Sequence, residues 1–270
     1  MIQKADNPTE RNFKDELALG LPIQISGSMA KWPAFKLWQS AEYIKQSHRD
    51  LPCSVFTAKV GEPLVASPNR VSWHELIDYF WYGTRIKSLP DPERIYLKQT
   101  NFNNFPELKK DLVNPSFFSA PMVETNLWMG ERGCNSPLHF DYIDNLICQV
   151  TGKKIIKLIA PKYTPLLSPC FLDSDRAEKL GLGNNFSFYQ STNELKLDDS
   201  SESLNIFEVE LSAGEILYIP PLWWHEVDTI KGPSISVNFW YATRYGTRIP
   251  RNELTSEQTL LNPMLSMFQS

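Results

Sequence analysis

From about residue 124 onward, apolar and polar residues alternate with a period of two, in short runs bounded by Gly and Pro: TNLWMG, NLICQV, KIIKLIAP, IFEVELSAG, EILYIP, WWHEV and SISVNFWY. Such alternation sends every second side chain to one face of a strand, and a series of short strands joined by turns predicts a sandwich or barrel. Within the series, Asn145–Val150 and Lys154–Ile159 read as the two arms of a hairpin, with Thr151-Gly152-Lys153 as its tight turn. The first third of the chain is patterned differently. LPIQISG and SVFTAKV read as short strands, whereas LWQSAEYIKQSH and SWHELIDYFWYG space their apolar residues three or four apart and predict amphipathic helices. The stretch 161–205 is irregular, with Pro165, Pro169 and the polar tail NELKLDDSSES, and a connection of that length is expected to be functional or mobile. With no internal repeat or low-complexity tract, the chain reads as one domain over 1–270: an α/β lead-in at 1–120, a β core at 121–243 and a tail at 244–270.

Composition narrows the function classes. At 270 residues with 42% apolar residues, the chain can fill a substantial core. Lys and Arg number 27 against 31 Asp and Glu, a net charge of −4, so there is no overall field for gripping nucleic acid. Locally, 241–251 carries Arg244, Arg248 and Arg251 and no acid, while 194–210 carries six acids and one lysine; both read first as solvated edges. The four cysteines show no CxxC pairing, and the N-terminus has no apolar run of the signal-peptide kind, which points to a reducing, cytoplasmic setting, or a nuclear one in a eukaryote. No stretch approaches the ~20 consecutive apolar residues of a membrane helix, so no membrane partner is expected.

The candidate chemistry starts at SPLHFDY. One residue separates His139 from Asp141, so on a strand the imidazole and the carboxylate project together. Two imidazoles and a carboxylate on one face of iron(II) leave its other positions open. A third ligand is then needed, and His225, which follows LYIPPLWW, is the natural one; His48 and His74 lie in helical, partly polar segments that suit packing or surface roles. Taken alone, HFD is a weak pattern, and a histidine in a β segment is more often a satisfied core residue than a ligand. Parity adds a second feature: Lys154 shares its face with Ile156 and Leu158, which should point inward, whereas Lys153 and Lys157 share the opposite face with Ile155 and Ile159. An ammonium among apolar groups is costly unless an anion meets it, and a bound carboxylate would serve. In SISVNFWY, Ser234, Ser236, Asn238 and Trp240 share one face, which is either solvent or the polar lining of a site beside His225.

Across about residues 20–243, the segments PIQISGSMAKWPAFKLW, RIYLKQT, NLWMGERGCNSPLHFDYIDNLICQVTGKKIIKLIAP and GEILYIPPLWWHEVDTIKGPSISVNFWY resemble the JmjC (cupin-like) family of iron(II)- and 2-oxoglutarate-dependent oxygenases. The likeness is greatest to the hydroxylase branch that includes the asparaginyl hydroxylase factor inhibiting HIF and the tRNA wybutosine hydroxylase. The resemblance implies a mainly β fold with flanking α, a double-stranded β-helix or jelly-roll core behind a mixed α/β lead-in. It implies that His139, Asp141 and His225 hold iron(II) and that Lys154 pairs with the distal carboxylate of 2-oxoglutarate. It also implies cosubstrate contacts from Tyr96, Ser136, Asn145 and Asn238, and substrate contacts from Trp240 and from Lys98, which stands where the asparaginyl hydroxylase has a substrate-binding glutamine.

The activity expected on this basis is that of a dioxygenase. With O2, it hydroxylates a C–H bond of a protein side chain and releases succinate and CO2. A protein or peptide substrate is favoured over tRNA because the chain is net acidic and a tRNA reading would rest on Arg244, Arg248 and Arg251. Lysine demethylation is disfavoured because many demethylases of the family carry HxE and added zinc or reader modules. A non-catalytic cupin is the remaining alternative, and an incomplete triad or a missing lysine would mark it; this chain has all four residues. After the core, SEQTLLNPMLSMF reads as one short helix broken by Pro263, so the oligomeric state is left open.

Overall fold

The computed structural model describes residues 2–17, 19–59, 69–89, 94–141, 143–167, 169–171, 189–191 and 204–242. In chain order the strands are β1 (Gln3–Asp6), β2 (Ile23–Ser26), β3 (Pro52–Ala58), β4 (Asn69–Ser72), β5 (Arg94–Asn101), β6 (Met122–Gly130) and β7 (Asn135–Phe140). They continue with β8 (Asp144–Ile159), β9 (Pro169–Phe171), β10 (Tyr189–Ser191), β11 (Ile206–Ser212), β12 (Ile216–Ile219) and β13 (Trp224–Tyr241). The helices are α1 (Glu10–Leu17), α2 (Pro33–Leu37), α3 (Ala41–Gln46), α4 (Trp73–Tyr82) and α5 (Pro106–Lys109).

The two long strands, β8 and β13, organise everything else. They pair antiparallel from Trp224↔Ile159 to Tyr241↔Asp144, with the register broken between Thr229 and Ser236. On the far side of β8 the first half takes β12 and the second half takes β11. On the far side of β13 the first half takes β7 and the second half takes β6. Each long strand therefore leaves one sheet and enters the other, which is a double-stranded β-helix. One sheet runs β1-β2-β12-β8-β13-β6-β5-β3-β4; the other runs β11-β8-β13-β7-β10-β9.

This continuity corrects two readings of the sequence. Asn145–Val150 and Lys154–Ile159 are not hairpin arms but halves of the single strand β8, and WWHEV and SISVNFWY are both part of β13. Gly152 is the bend between the halves of β8: its φ is +73°, and a Cβ there would come within 2.5 Å of the Lys231 carbonyl oxygen and 2.8 Å of the Ser234 Cα. A glycine with positive φ fits a tight turn and a close-packed bend equally well, and only the neighbouring strand decides between them.

The lead-in carries the other correction. LWQSAEYIKQSH is split between α2, which Pro33 opens, and α3, whose N-cap Ser40 accepts a hydrogen bond from the Tyr43 N–H. SWHELIDYFWYG is α4 as expected. Ser72 caps it by accepting from the Glu75 N–H, and Gly83, left-handed at φ +66°, ends it. Its buried Trp73, Leu76, Ile77 and Phe80 join Trp38, Phe102 and Phe105 in the main core. Asp111 ties this layer down, accepting from the Trp38 Nε1 at 2.8 Å and the Tyr43 hydroxyl at 2.9 Å. His48 packs against Trp73 and Phe105, and His74 sets its Nε2 3.2 Å from the Lys45 carbonyl, so both serve packing. Cys53, Cys134 and Cys148 are free and buried. Among the described residues no helix is long and apolar enough to cross a membrane. Most of the 161–205 connection, the arginines at 244, 248 and 251 and the expected helix around Pro263 lie outside the described residues.

Candidate metal and cosubstrate pocket

His225 on β13 stands directly across the ladder from His139 on β7. Residues paired in this way face the same side, and the two ring centroids are 4.2 Å apart. Asp141, just past the end of β7, brings Oδ2 to 3.8 Å from the His225 Nε2, and the ligand atoms of all three residues lie within 4.8 Å of one another. The neighbours along the chain point the other way and lock the geometry. Phe140 and Trp224 meet edge to face, and the Trp224 Nε1 donates to the Thr164 hydroxyl at 2.9 Å. Leu222, left-handed at φ +67° after the Pro-Pro turn, donates its N–H to the Asp141 carbonyl at 2.8 Å. The turn before His225 is thus pinned to the backbone of Asp141.

Each imidazole has its second nitrogen fixed. His139 Nδ1 lies 2.7 Å from the Pro137 carbonyl oxygen, and His225 Nδ1 lies 3.0 Å from that of Trp223. A carbonyl only accepts, so each ring donates from Nδ1, which leaves Nε2 as the ring atom available to a metal. Burial holds His139 well below its usual pKa, with His225 adding to the effect, and burial raises the Asp141 carboxyl. Asp141 Oδ1 is buried without a hydrogen-bond partner. Two imidazoles and a desolvated carboxylate with an unused oxygen, their ligand atoms within 4.8 Å of one another, form a donor set that fits a divalent metal of the iron type.

The triad opens into a pocket lined by both sheets. The ten residues that the family resemblance implied for metal, cosubstrate and substrate all line it: Tyr96 and Lys98 from β5; Ser136 and His139 from β7; Asp141; Asn145 and Lys154 from β8; and His225, Asn238 and Trp240 from β13. The three lysines divide between the two faces of β8. Lys154 is 3% exposed and donates to the Tyr96 hydroxyl at 3.2 Å, whereas Lys153 is partly exposed and pairs with Glu210, and Lys157 pairs with Glu226. Burial pushes the Lys154 ammonium down to about 8, with Cys134 and Asp228 opposing, and it pushes the Tyr96 phenol up. The Ser234, Ser236, Asn238 and Trp240 face of β13 is buried, and the last three of these line the pocket, so this face is lining and not solvent surface.

Sequence reasoning passed over Trp128 and Gln99, which also line the pocket. Trp128 Nε1 donates to the Asn238 Oδ1 at 3.0 Å and so orients that amide; its place inside the TNLWMG alternation was the available signal. Gln99 reaches the pocket through a strand irregularity that no pattern in the sequence marks.

Residues 9–247 match the cupin-like domain family model. Among similar proteins are JmjC domain-containing protein D of Dictyostelium discoideum (29% identical, covering 85% of this chain and 54% of the relative) and lysine-specific demethylase JMJ30 of Arabidopsis thaliana (29%, 85% and 52%). Lysine-specific demethylase 8 of Xenopus tropicalis is 28% identical, covering 89% of this chain and 53% of the relative. The chain thus spans about half the length of these relatives. With a family match over nearly its whole length, a jelly-roll built on β8 and β13, and a His-Asp-His cluster facing a buried lysine, this chain belongs to the cupin-like JmjC family of iron(II)- and 2-oxoglutarate-dependent oxygenases.

Proposed function

We infer that this chain uses iron(II), O2 and 2-oxoglutarate to hydroxylate a C–H bond of a protein side chain, releasing succinate and CO2. The observation that carries the reading is the placement of His139, Asp141 and His225 in one pocket with Lys154, a buried cation whose desolvation a carboxylate would offset. Iron(II) held by His139, Asp141 and His225 would activate O2, with 2-oxoglutarate supplying the two electrons that its oxidation to succinate and CO2 releases. The protein's own residues bind, orient and exclude water. Lys154 and Tyr96 receive the distal carboxylate of the cosubstrate, and Ser136, Asn145 and Asn238 offer polar contacts along it. Ile147, Val227 and Trp128 keep the lining dry, which strengthens each of these contacts, and Trp240 packs on the substrate.

A protein substrate is supported by relatives named lysine-specific demethylases and by the net charge of −4, which gives no general attraction to phosphate. The relatives' names favour a second reading, removal of a lysine methyl group through oxidation of its C–H bond. Both readings are tested by supplying the iron-loaded protein with 2-oxoglutarate and peptides from a cell lysate. Succinate is measured, and mass spectrometry looks for products one oxygen heavier or one methyl lighter, with a tRNA pool run in parallel. An added oxygen on peptides, absent with His225→Ala, is the expected result. Loss of methyl groups would favour the second reading, oxidised tRNA would transfer the activity to a nucleic acid, and no succinate at all would sink both.

A further inference from the structure

Strand β5 departs from regular pairing where it borders the pocket. Tyr96↔Gly130 and Leu97↔Met129 are in register, and so are Thr100↔Leu127 and Asn101↔Asn126. Between them Lys98 and Gln99 together oppose Trp128 alone, and Gln99 sits at φ +46°, a conformation that L residues other than Asn and Asp rarely hold. In a regular strand Lys98 and Gln99 would point to opposite faces. With the extra residue both line the pocket. A bulge beside a site that re-aims side chains at some cost in backbone strain is built for that purpose.

The side chain so aimed is a cation without a counter-charge. Among the described residues no carboxylate pairs with Lys98, and it lines the same pocket as His139, Asp141 and His225. Lys154 is distinct: it is held by the Tyr96 hydroxyl. Formal charges then balance in an informative way. The described lining holds two lysines and one acid, Asp141. A divalent iron cancels the dianionic cosubstrate, Asp141 cancels Lys154, and Lys98 is left over. A partly desolvated ammonium left over in a low-dielectric pocket attracts an anion and repels a cation.

The geometry points to Lys98 as the group that receives an anionic substrate side chain, so that the pocket takes an aspartyl or glutamyl residue of a peptide and rejects a methylated ammonium. This rests on the oxygenase reading above and adds the substrate's charge class to it. The net acidity of the chain favours a carboxylate presented by a peptide over the phosphates of a nucleic acid, which would bring many charges at once.

The test reads binding, apart from turnover. The whole protein is loaded with manganese(II) and 2-oxoglutarate without O2. It is titrated with three fluorescent peptide libraries, identical except for a central aspartate, asparagine or dimethyl-lysine, and with a tRNA pool. Wild type, Lys98→Gln and Lys98→Glu are compared, and 2-oxoglutarate affinity is measured in each. The aspartate library should bind wild type roughly tenfold or more above the others. Lys98→Gln should abolish that preference and Lys98→Glu should reverse it toward dimethyl-lysine, while 2-oxoglutarate affinity changes little. Equal binding of the three libraries, tightest binding of dimethyl-lysine or tRNA to wild type, or a main loss of 2-oxoglutarate affinity in Lys98→Gln would each overturn the assignment. Acid-selective binding by a protein that never forms succinate would refute the oxygenase reading and leave the charge selectivity standing.

Discussion

The Lys154 Nζ lies 3.2 Å from the Tyr96 hydroxyl and 5.3 Å from the centre of the same ring, so the one buried cation of β8 is held by a residue of β5. The phenol orients the ammonium without neutralising it, which leaves the charge for a ligand. Lys154→Ala should therefore weaken 2-oxoglutarate binding by roughly ten- to a hundredfold, the ~1.5–3 kcal/mol of a charge-assisted hydrogen bond. Tyr96→Phe should cost less, because it removes the orienting hydroxyl and keeps the charge. Lys153→Ala should do little, since that side chain pairs with Glu210 on the other face. Calorimetry with manganese(II) in place of iron reads all three; equal losses from Lys153 and Lys154 would undo the assignment.

Protonation gives the same residue a pH signature. Burial holds Lys154 near 8 in the ligand-free protein, so the cation is present below that pH and lost above it. Binding above about pH 8 must take up a proton, and 2-oxoglutarate affinity should fall by up to about tenfold per pH unit there while staying flat on the acid side. Folding stability should move the opposite way. The unfolded lysine keeps its proton up to 10.5, so between about 8 and 10.5 rising pH favours the folded state. Isothermal titrations across this range, with Lys154→Ala as the control that removes the slope, provide the check.

The triad should be dispensable for the fold and essential for metal. Asp141 carries a buried oxygen without a partner, so Asp141→Asn removes a desolvated carboxylate and should leave the metal-free melting temperature unchanged or slightly higher. The wild-type protein should gain stability on adding iron(II) or manganese(II), by about 2.7 kcal/mol at a hundredfold excess over Kd, and Asp141→Asn and His225→Ala should lose that gain. Thermal melts with and without metal measure the difference.

Gly152→Ala tests whether β8 is one bent strand. A Cβ would come within 2.5 Å of the Lys231 carbonyl and would force φ +73° on an alanine, so destabilisation of roughly 1–3 kcal/mol or more is expected, with weaker 2-oxoglutarate binding because Lys154 lies two residues on. A flexible hairpin turn would absorb the change. Urea denaturation and ligand titration together separate the two cases.

The sequence by itself determined whatever depends on local periodicity. Alternation in TNLWMG, KIIKLIAP and SISVNFWY specified strands, HFD set an imidazole and a carboxylate on one side of a strand end, and parity specified Lys154 as the inward lysine. Apolar spacing in SWHELIDYFWYG likewise marked α4. Three-dimensional pairing decided the rest. Whether Gly152 turns a hairpin or bends a strand depends on β13 running past both halves of β8, and whether His225 joins His139 depends on a ladder register between strands some eighty residues apart. The bulge that turns Lys98 and Gln99 together into the pocket exists because β5 holds one more residue than β6 opposite it, and a count taken across two strands cannot be made along one.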